Sequence, residues 1–216
     1  LETLKQDFED LGEDSPLFTS MVCGQTPQED ESSLILLSWV QAAEGRLVDV
    51  DDPRVLGVDV ARFGGHYTVG MRMHGRHASL AFAYKGQDLM QTVGQIKEAH
   101  ARDNYYAIAV DDTGIGGGGT DALDNSRDLQ RCHIVPVNFG AKSDFPDRYV
   151  NMKAQIAFAV RAELKAGFED QGNPHVGLSI PADRRLAAQL TAHRQQFDDR
   201  NRFRVQTVTE ERGANA

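Results

Sequence analysis

Two short stretches place carboxylates where an ordinary strand carries apolar side chains. In VLGVDVARFGGHYTV, residues 55–69, Val55, Leu56, Val58, Val60 and Ala61 read as a buried strand with Asp59 in its middle, followed by a glycine turn. In AVDDTGIGGGGTDAL, residues 109–123, a second strand candidate over Tyr105–Val110 runs into Asp111 and Asp112. Burying an ionised acid is expensive unless it is paired or metal-bound. Two carboxylates converging on one point also repel, and a hard divalent cation between them removes the conflict. Mg²⁺ or Mn²⁺ takes oxygen ligands, keeps several waters and favours substrates that contribute phosphate oxygens. Two such ions about 3.5–4 Å apart stabilise both the attacking water and the leaving oxygen of a phosphodiester. Asp59 and Asp111 therefore make sense as metal ligands. A plainer alternative has the FGG turn satisfying Asp59 and Asp111 or Asp112 capping the following helix. GIGGGGT is not a Walker loop, because no lysine follows its glycines. It reads as a flexible turn beside the site, running into a short helix.

The elements that must position these acids follow from periodicity. Val55–Ala61, Tyr67–His74 and Ala78–Tyr84 are three short strands with tight glycine turns, an antiparallel meander. A helix over 87–101 follows, with Leu89, Met90, Val93, Ile96 and Ala99 at helical spacing. Strands over 105–110 and 133–137 flank the glycine-rich segment. Asp147–Gly167 is the clearest helix, with Tyr149, Met152, Ile156, Val160 and Leu164 as its stripe and Gly167 as its C-cap. A strand over 176–180, a helix over 182–195 and a strand over 203–208 complete the pattern of a mixed α/β sheet covered by helices. In that plan the ends of the first and fourth strands lie side by side.

Residues 1–50 read as an appendage and 51–216 as the domain. LETLKQDFEDLG is a short amphipathic helix, SPLFTSMVCGQTPQEDESS a proline-broken linker, and SSLILLSWVQAA a second helix capped by its serines, with Leu34, Leu37, Trp39 and Val40 on one face. The first 50 residues hold eleven acids against Lys5 and Arg46, which accounts for the whole net charge of −9. The remainder is balanced, and Arg184, Arg185, Arg194, Arg200, Arg202 and Arg204 crowd its C-terminal stretch, either as a solvated surface or as a phosphate-binding face. Cys23 and Cys132 lack partners at metal or redox spacing. No apolar run is long enough for a membrane span, and LETLKQDFED lacks the features of a signal peptide.

The order GVDVARFGGHYTV, AVDDTGIGGGGTDAL, PDRYVNMKAQIAFAVRAELKAG resembles the nuclease domain of the large terminase subunit of tailed bacteriophages and prophages. DSPLFTSMVCGQTPQEDESSLILLSWVQAA resembles the connector that leads into that domain from the family's ATPase domain. The resemblance implies an RNase H-like α/β fold, a mixed central sheet with helices on both faces, and a metal-dependent endonuclease with a two-ion Mg²⁺ or Mn²⁺ site that cuts double-stranded viral DNA concatemers during packaging. It implies that the chain is a fragment lacking the ATPase domain. That domain, the small terminase subunit and the portal would be its partners, in the host cytoplasm. Asp59 falls on the family's first-strand acid and Asp111 on its second, with Asp112 the alternative if the register shifts by one. His66 in GGHYT stands where the family often has an acid; an imidazole can bind metal or phosphate. The family's third acid follows the last strand in a segment resembling SPDxADA. This chain ends VTEERGANA, so the segment is absent or Asn215 occupies the slot, and an amide supplies no anionic charge. Glu210 and Glu211 are nearby substitutes.

Two other readings share these residues. GVDVARFGGHYTV also resembles the phosphate-binding hairpin of the actin and sugar-kinase group, although the remaining length is short for that group's second lobe. A non-catalytic DNA-binding or assembly module is the other: Arg184, Arg185, Arg200, Arg202 and Arg204 would contact phosphates while the acidic N-terminal segment docks a partner.

Overall fold

A computed structural model of the chain describes residues 32–50, 53–61, 67–86 and 88–207, of which residues 113–117 and 207 are described for their backbone only. Among the described residues two compact units emerge, one within residues 48–139 and a second formed by residues 32–47 with 140–207.

The first unit holds a five-stranded sheet in the order β3-β2-β1-β4-β5, built from β1 (Arg54–Asp59), β2 (Tyr67–His74), β3 (His77–Lys85), β4 (Ala107–Asp111) and β5 (His133–Val137). β1, β2 and β3 form the expected antiparallel meander, while β4 and β5 run parallel to β1. The β2–β3 turn brings Gly75 (φ +57°) so close to the Asp49 carbonyl that a Cβ would lie 2.6 Å from its oxygen, so only glycine suits the position.

Parallel neighbours cannot be joined by a tight hairpin, and each crossover here contains a helix. α2 (Leu89–Asp103) connects β3 to β4 and opens with a reciprocal cap in which Asp88 accepts from the Gln91 N–H and Gln91 from the Asp88 N–H. α3 (Asp112–Asp124) connects β4 to β5. Leu56, Val58, Ile108 and Val110 on the sheet join Val93, Ile96 and Ala99 of α2 and Leu123 of α3 in one core. Each such large side chain contributes roughly 1.5–3 kcal/mol.

Three expectations fail in this unit. The glycine run is helical rather than a turn, because its place between adjacent parallel strands requires a crossover and Leu123 anchors that crossover in the core; tertiary packing overrides the poor helix propensity of glycine. Met90 is 64% exposed and off the buried stripe. Asp59 is the last residue of β1 and exposed, not in mid-strand and buried.

The second unit packs α1 (Leu37–Ala43), α4 (Met152–Glu169) and α5 (Arg184–Thr191) with a β6–β7 hairpin (His193–Phe197 and Phe203–Thr207). Leu34, Leu37, Trp39 and Val40 are buried as the amphipathic reading requires. The serines do not cap α1. Its N-cap is Leu36, and Ser33 instead bridges to Arg194 as residues 32–34 line the edge of β6. α4 starts later than expected because the Asn151 side chain caps it through the Ala154 N–H. Its buried residues are Ala154, Phe158, Leu164 and Gly167, while Ile156 is 36% exposed. Gly167 is interior to the helix. The C-cap is Asp170, and Arg46 donates to the carbonyls of Gly167, Asp170 and Asn173. Residues 176–180 form no named strand among the described residues, and Ile180 makes an isolated bridge to Glu44. The helix expected over 182–195 ends at Thr191, and the residues beyond it form β6, paired with β7 in a sheet of their own. Residues 1–31 lie outside the described residues, as does Cys23. Among the described residues no helix is long and apolar enough to cross a membrane.

Candidate functional site

Asp59 and Asp111 end the two central parallel strands. The β1–β4 register pairs Val55 with Ala107 and runs to Val58 with Val110, so the next residues on the two strands are Asp59 and Asp111. Neighbouring strands lie about 4.8 Å apart and side chains alternate between faces. Leu56 and Val58 point into the α2–α3 core together with Ile108 and Val110. Asp59 and Asp111 therefore share the opposite face, at the carboxyl edge of the sheet. Asp59 is exposed and Asp111 half-buried, so a hydrated ion can reach both. Ligands of open α/β sheets bind at this edge. Asp112 is the first residue of α3, and its Oδ1 accepts from Thr120 Oγ1 at 3.1 Å.

The donor set suits a hard divalent cation, since both groups are carboxylates and their charges converge. Among the described residues no group of three or more His, Cys, Asp or Glu is placed to hold a metal. His66, Glu210, Glu211 and Asn215 all lie outside the described residues.

Among the described residues, the carboxylate that is buried is one the sequence reading missed. Asp103, with its side chain only 10% exposed, closes α2 on the same stripe as Thr92, Ile96 and Ala99, and that spacing was its available signal. It accepts from Arg72 at 2.8 Å, from Arg102 at 3.1 and 3.2 Å and from the Tyr105 hydroxyl at 2.8 Å. Desolvation works to raise its pKa, but the Tyr105 hydrogen bond and the two guanidinium groups prevail and hold it below the usual carboxylate value. Burial, and then the Asp103 hydrogen bond, push the Tyr105 hydroxyl up to about 12. This network precedes β4, at the end of the strand remote from Asp111, and its role is structural.

The arginines separate into three groups. Arg184 and Arg185 open α5, whose N-cap Asp183 accepts from the Leu186 N–H. Arg202 is held by Asp198 at 2.7 and 2.9 Å, and it and the backbone N–H groups of Arg202 and Arg200 keep the Asp198 carboxyl low. Arg200 and Arg204 are exposed on the same hairpin.

The strand order, with an antiparallel meander leading into parallel strands, and the acid-bearing carboxyl edge define an RNase H-like fold. More particularly, the chain superposes on nuclease domains of large terminase subunits. The nuclease domain of the large terminase subunit gp2 of bacterial virus Sf6, determined with manganese and beta-thujaplicinol, matches with a TM-score of 0.68 and 15% identity over 84% of this chain and 91% of that one. The large terminase nuclease from thermophilic phage G20c matches with a TM-score of 0.56 and 14% identity over 82% of this chain and 89% of that one; a second structure of it, with bound magnesium, gives a TM-score of 0.51 at 14% identity, again over 82% and 89%. No protein-family model and no curated protein matches the chain.

Proposed function

We propose that this chain is a metal-dependent endonuclease domain that cleaves double-stranded DNA, and that it serves as the nuclease of a large terminase subunit in phage genome packaging. The observation that carries the reading is the placement of Asp59 and Asp111 at the ends of adjacent parallel strands, on one face. The shared fold with terminase nucleases determined with manganese and with magnesium supports it. In this reading Asp59 and Asp111 hold Mg²⁺ or Mn²⁺, and residues 62–66 or 208–216 supply a further ligand, with His66, Asn215, Glu210 and Glu211 as candidates. Asp112 is the alternative at the second strand. Bound there, two divalent ions would activate water and neutralise charge on the phosphodiester. The carboxylates hold their oxygens at the carboxyl edge of the sheet, and rigid parallel strands keep the two groups at a fixed spacing. Arg184, Arg185, Arg200 and Arg204 would contact phosphates. We place the connector at residues 1–50 and the nuclease domain at 51–216, with the packaging ATPase domain, small subunit and portal as partners in the host cytoplasm.

The test is plasmid cleavage by the purified chain in Mg²⁺ or Mn²⁺. Cleavage should vanish in EDTA and fall at least about 100-fold in Asp59→Asn and Asp111→Asn, with the far-ultraviolet spectra unchanged. Full cleavage in EDTA, or by Asp59→Asn, would refute the reading. Salt-sensitive DNA binding with no cleavage in Mn²⁺ would leave the non-catalytic DNA-binding module in its place.

A further inference from the structure

The hairpin β6–β7 has two unlike faces. Its register pairs Phe197 with Phe203 and Gln195 with Val205 on one side, and Gln196 with Arg204 and Arg194 with Gln206 on the other. The apolar side rests on α4, where the Phe203 ring lies 4.3 Å from that of Phe158, and the Tyr149 ring is 5.7 Å from Phe158. Phe197 sits at the outer end of this aromatic series, 4.9 Å from Phe203, and is 58% exposed. Folding alone gives no reason to place a phenyl ring there, since much of it stays in water.

Exposed arginines stand on this hairpin and on the segment bridged to it. Arg200 lies in the turn just beyond Phe197 and is exposed, and among the described residues its guanidinium makes no ion pair or hydrogen bond; Arg204, next to Phe203 along β7, belongs to the opposite side of the hairpin. Arg148, also exposed, stands on the segment bridged to β7 through Tyr149 and Phe203, with its guanidinium 5.2 Å from the Tyr149 ring. The acids adjacent to these residues in sequence are Asp147, Asp198 and Asp199, and Asp198 is paired with Arg202. That ion pair braces the turn, because Asp198 also accepts from the backbone N–H groups of Arg200 and Arg202.

We propose that this hairpin grips an unpaired strand of nucleic acid, with Phe197 as the platform on which one base stacks and Arg148 and Arg200 as the phosphate contacts. An exposed aromatic face beside arginines is the chemistry single strands require, since every base offers a π-face and every linkage a charge. In a duplex the bases are already stacked on one another, so Phe197 adds affinity only where a strand is frayed or open. The inference rests on the nucleic-acid reading above but not on the carboxylate pair.

The experiment is fluorescence anisotropy of the whole chain in EDTA, with a labelled single-stranded 20-mer and the matching blunt duplex. Phe197→Ala should weaken single-strand binding roughly 5- to 100-fold, the loss of one stacked base, and leave duplex affinity within about twofold. Phe197→Leu keeps the apolar contact with Phe203 without the π-face and should lose as much. Phe197→Trp should retain affinity, with quenched emission on binding. Arg148→Ala and Arg200→Ala should weaken both ligands and lower the salt slope by roughly one unit each. If Phe197→Leu binds the single strand as wild type does, the stacking role is overturned while the nuclease reading stands. If neither ligand binds at low salt, both fall.

Discussion

Replacing Asp103 by Asn keeps the shape of the side chain and removes its charge. Four donor contacts converge on the native carboxylate, two of them from Arg102. The Arg102 side chain is 58% exposed, so its pair contributes no more than about 1 kcal/mol. Arg72 is 30% exposed and Tyr105 only 2%. Hydrogen bonds from such groups to a charged acceptor contribute about 1.5–3 kcal/mol each. An Asn retains one acceptor oxygen and turns an NH₂ group toward the other donors, which leaves one of them unsatisfied. Asp103→Asn is therefore expected to destabilise the fold by about 3–5 kcal/mol, a large share of a typical domain's stability. Arg102→Ala is expected to cost no more than about 1 kcal/mol. Equilibrium urea denaturation at pH 7 measures both. The pH dependence provides a second check. A carboxyl held below its unfolded value stabilises the fold above that value, about 3.9, and the contribution disappears as pH falls through the folded pKa. The gap between wild type and Asp103→Asn should thus close in acid. A loss under about 1 kcal/mol in Asp103→Asn, or an equal loss in Arg102→Ala, would show that the network does not bear on stability as its geometry implies.

Other perturbations give equally definite outcomes. With its hydroxyl pushed up to about 12, Tyr105 contributes stability that is complete below its unfolded value of about 10 and is lost as pH rises from there through 12; Tyr105→Phe should blunt this alkaline loss in a pH series of thermal melts. Gly177→Ala forces a left-handed residue (φ +79°) to carry a Cβ against the Gly167 backbone and should cost more than about 2 kcal/mol by denaturant titration. Gly94 and Gly118 lie in helices with open space where a Cβ would go, so Gly94→Ala and Gly118→Ala should each stabilise by about 0.5–1 kcal/mol. Arg46→Ala strips three carbonyls at the end of α4 of their donor and should lower stability by about 1.5–3 kcal/mol.

Local pattern was enough to identify β2 and β5 over Tyr67–His74 and His133–Val137, the meander and the strand-end position of Asp111, because alternation, turn residues and helical spacing are written over a few neighbouring residues. The order of acid-bearing segments likewise pointed to an RNase H-like sheet. What the sequence left open depends on partners distant along the chain. A run of glycines becomes helix α3 only because β4 and β5 lie parallel and adjacent. Asp59 was singled out for a burial it does not have; its exposed position beside Asp111 follows from strand pairing between residues more than fifty apart. Asp103, the buried acid among the described residues, is tolerated at the end of helix α2 because Arg72, from strand β2, reaches it. The charge on each side chain is local information, whereas the desolvation of that charge and the identity of its counter-charge are set by packing, and packing is decided by tertiary structure.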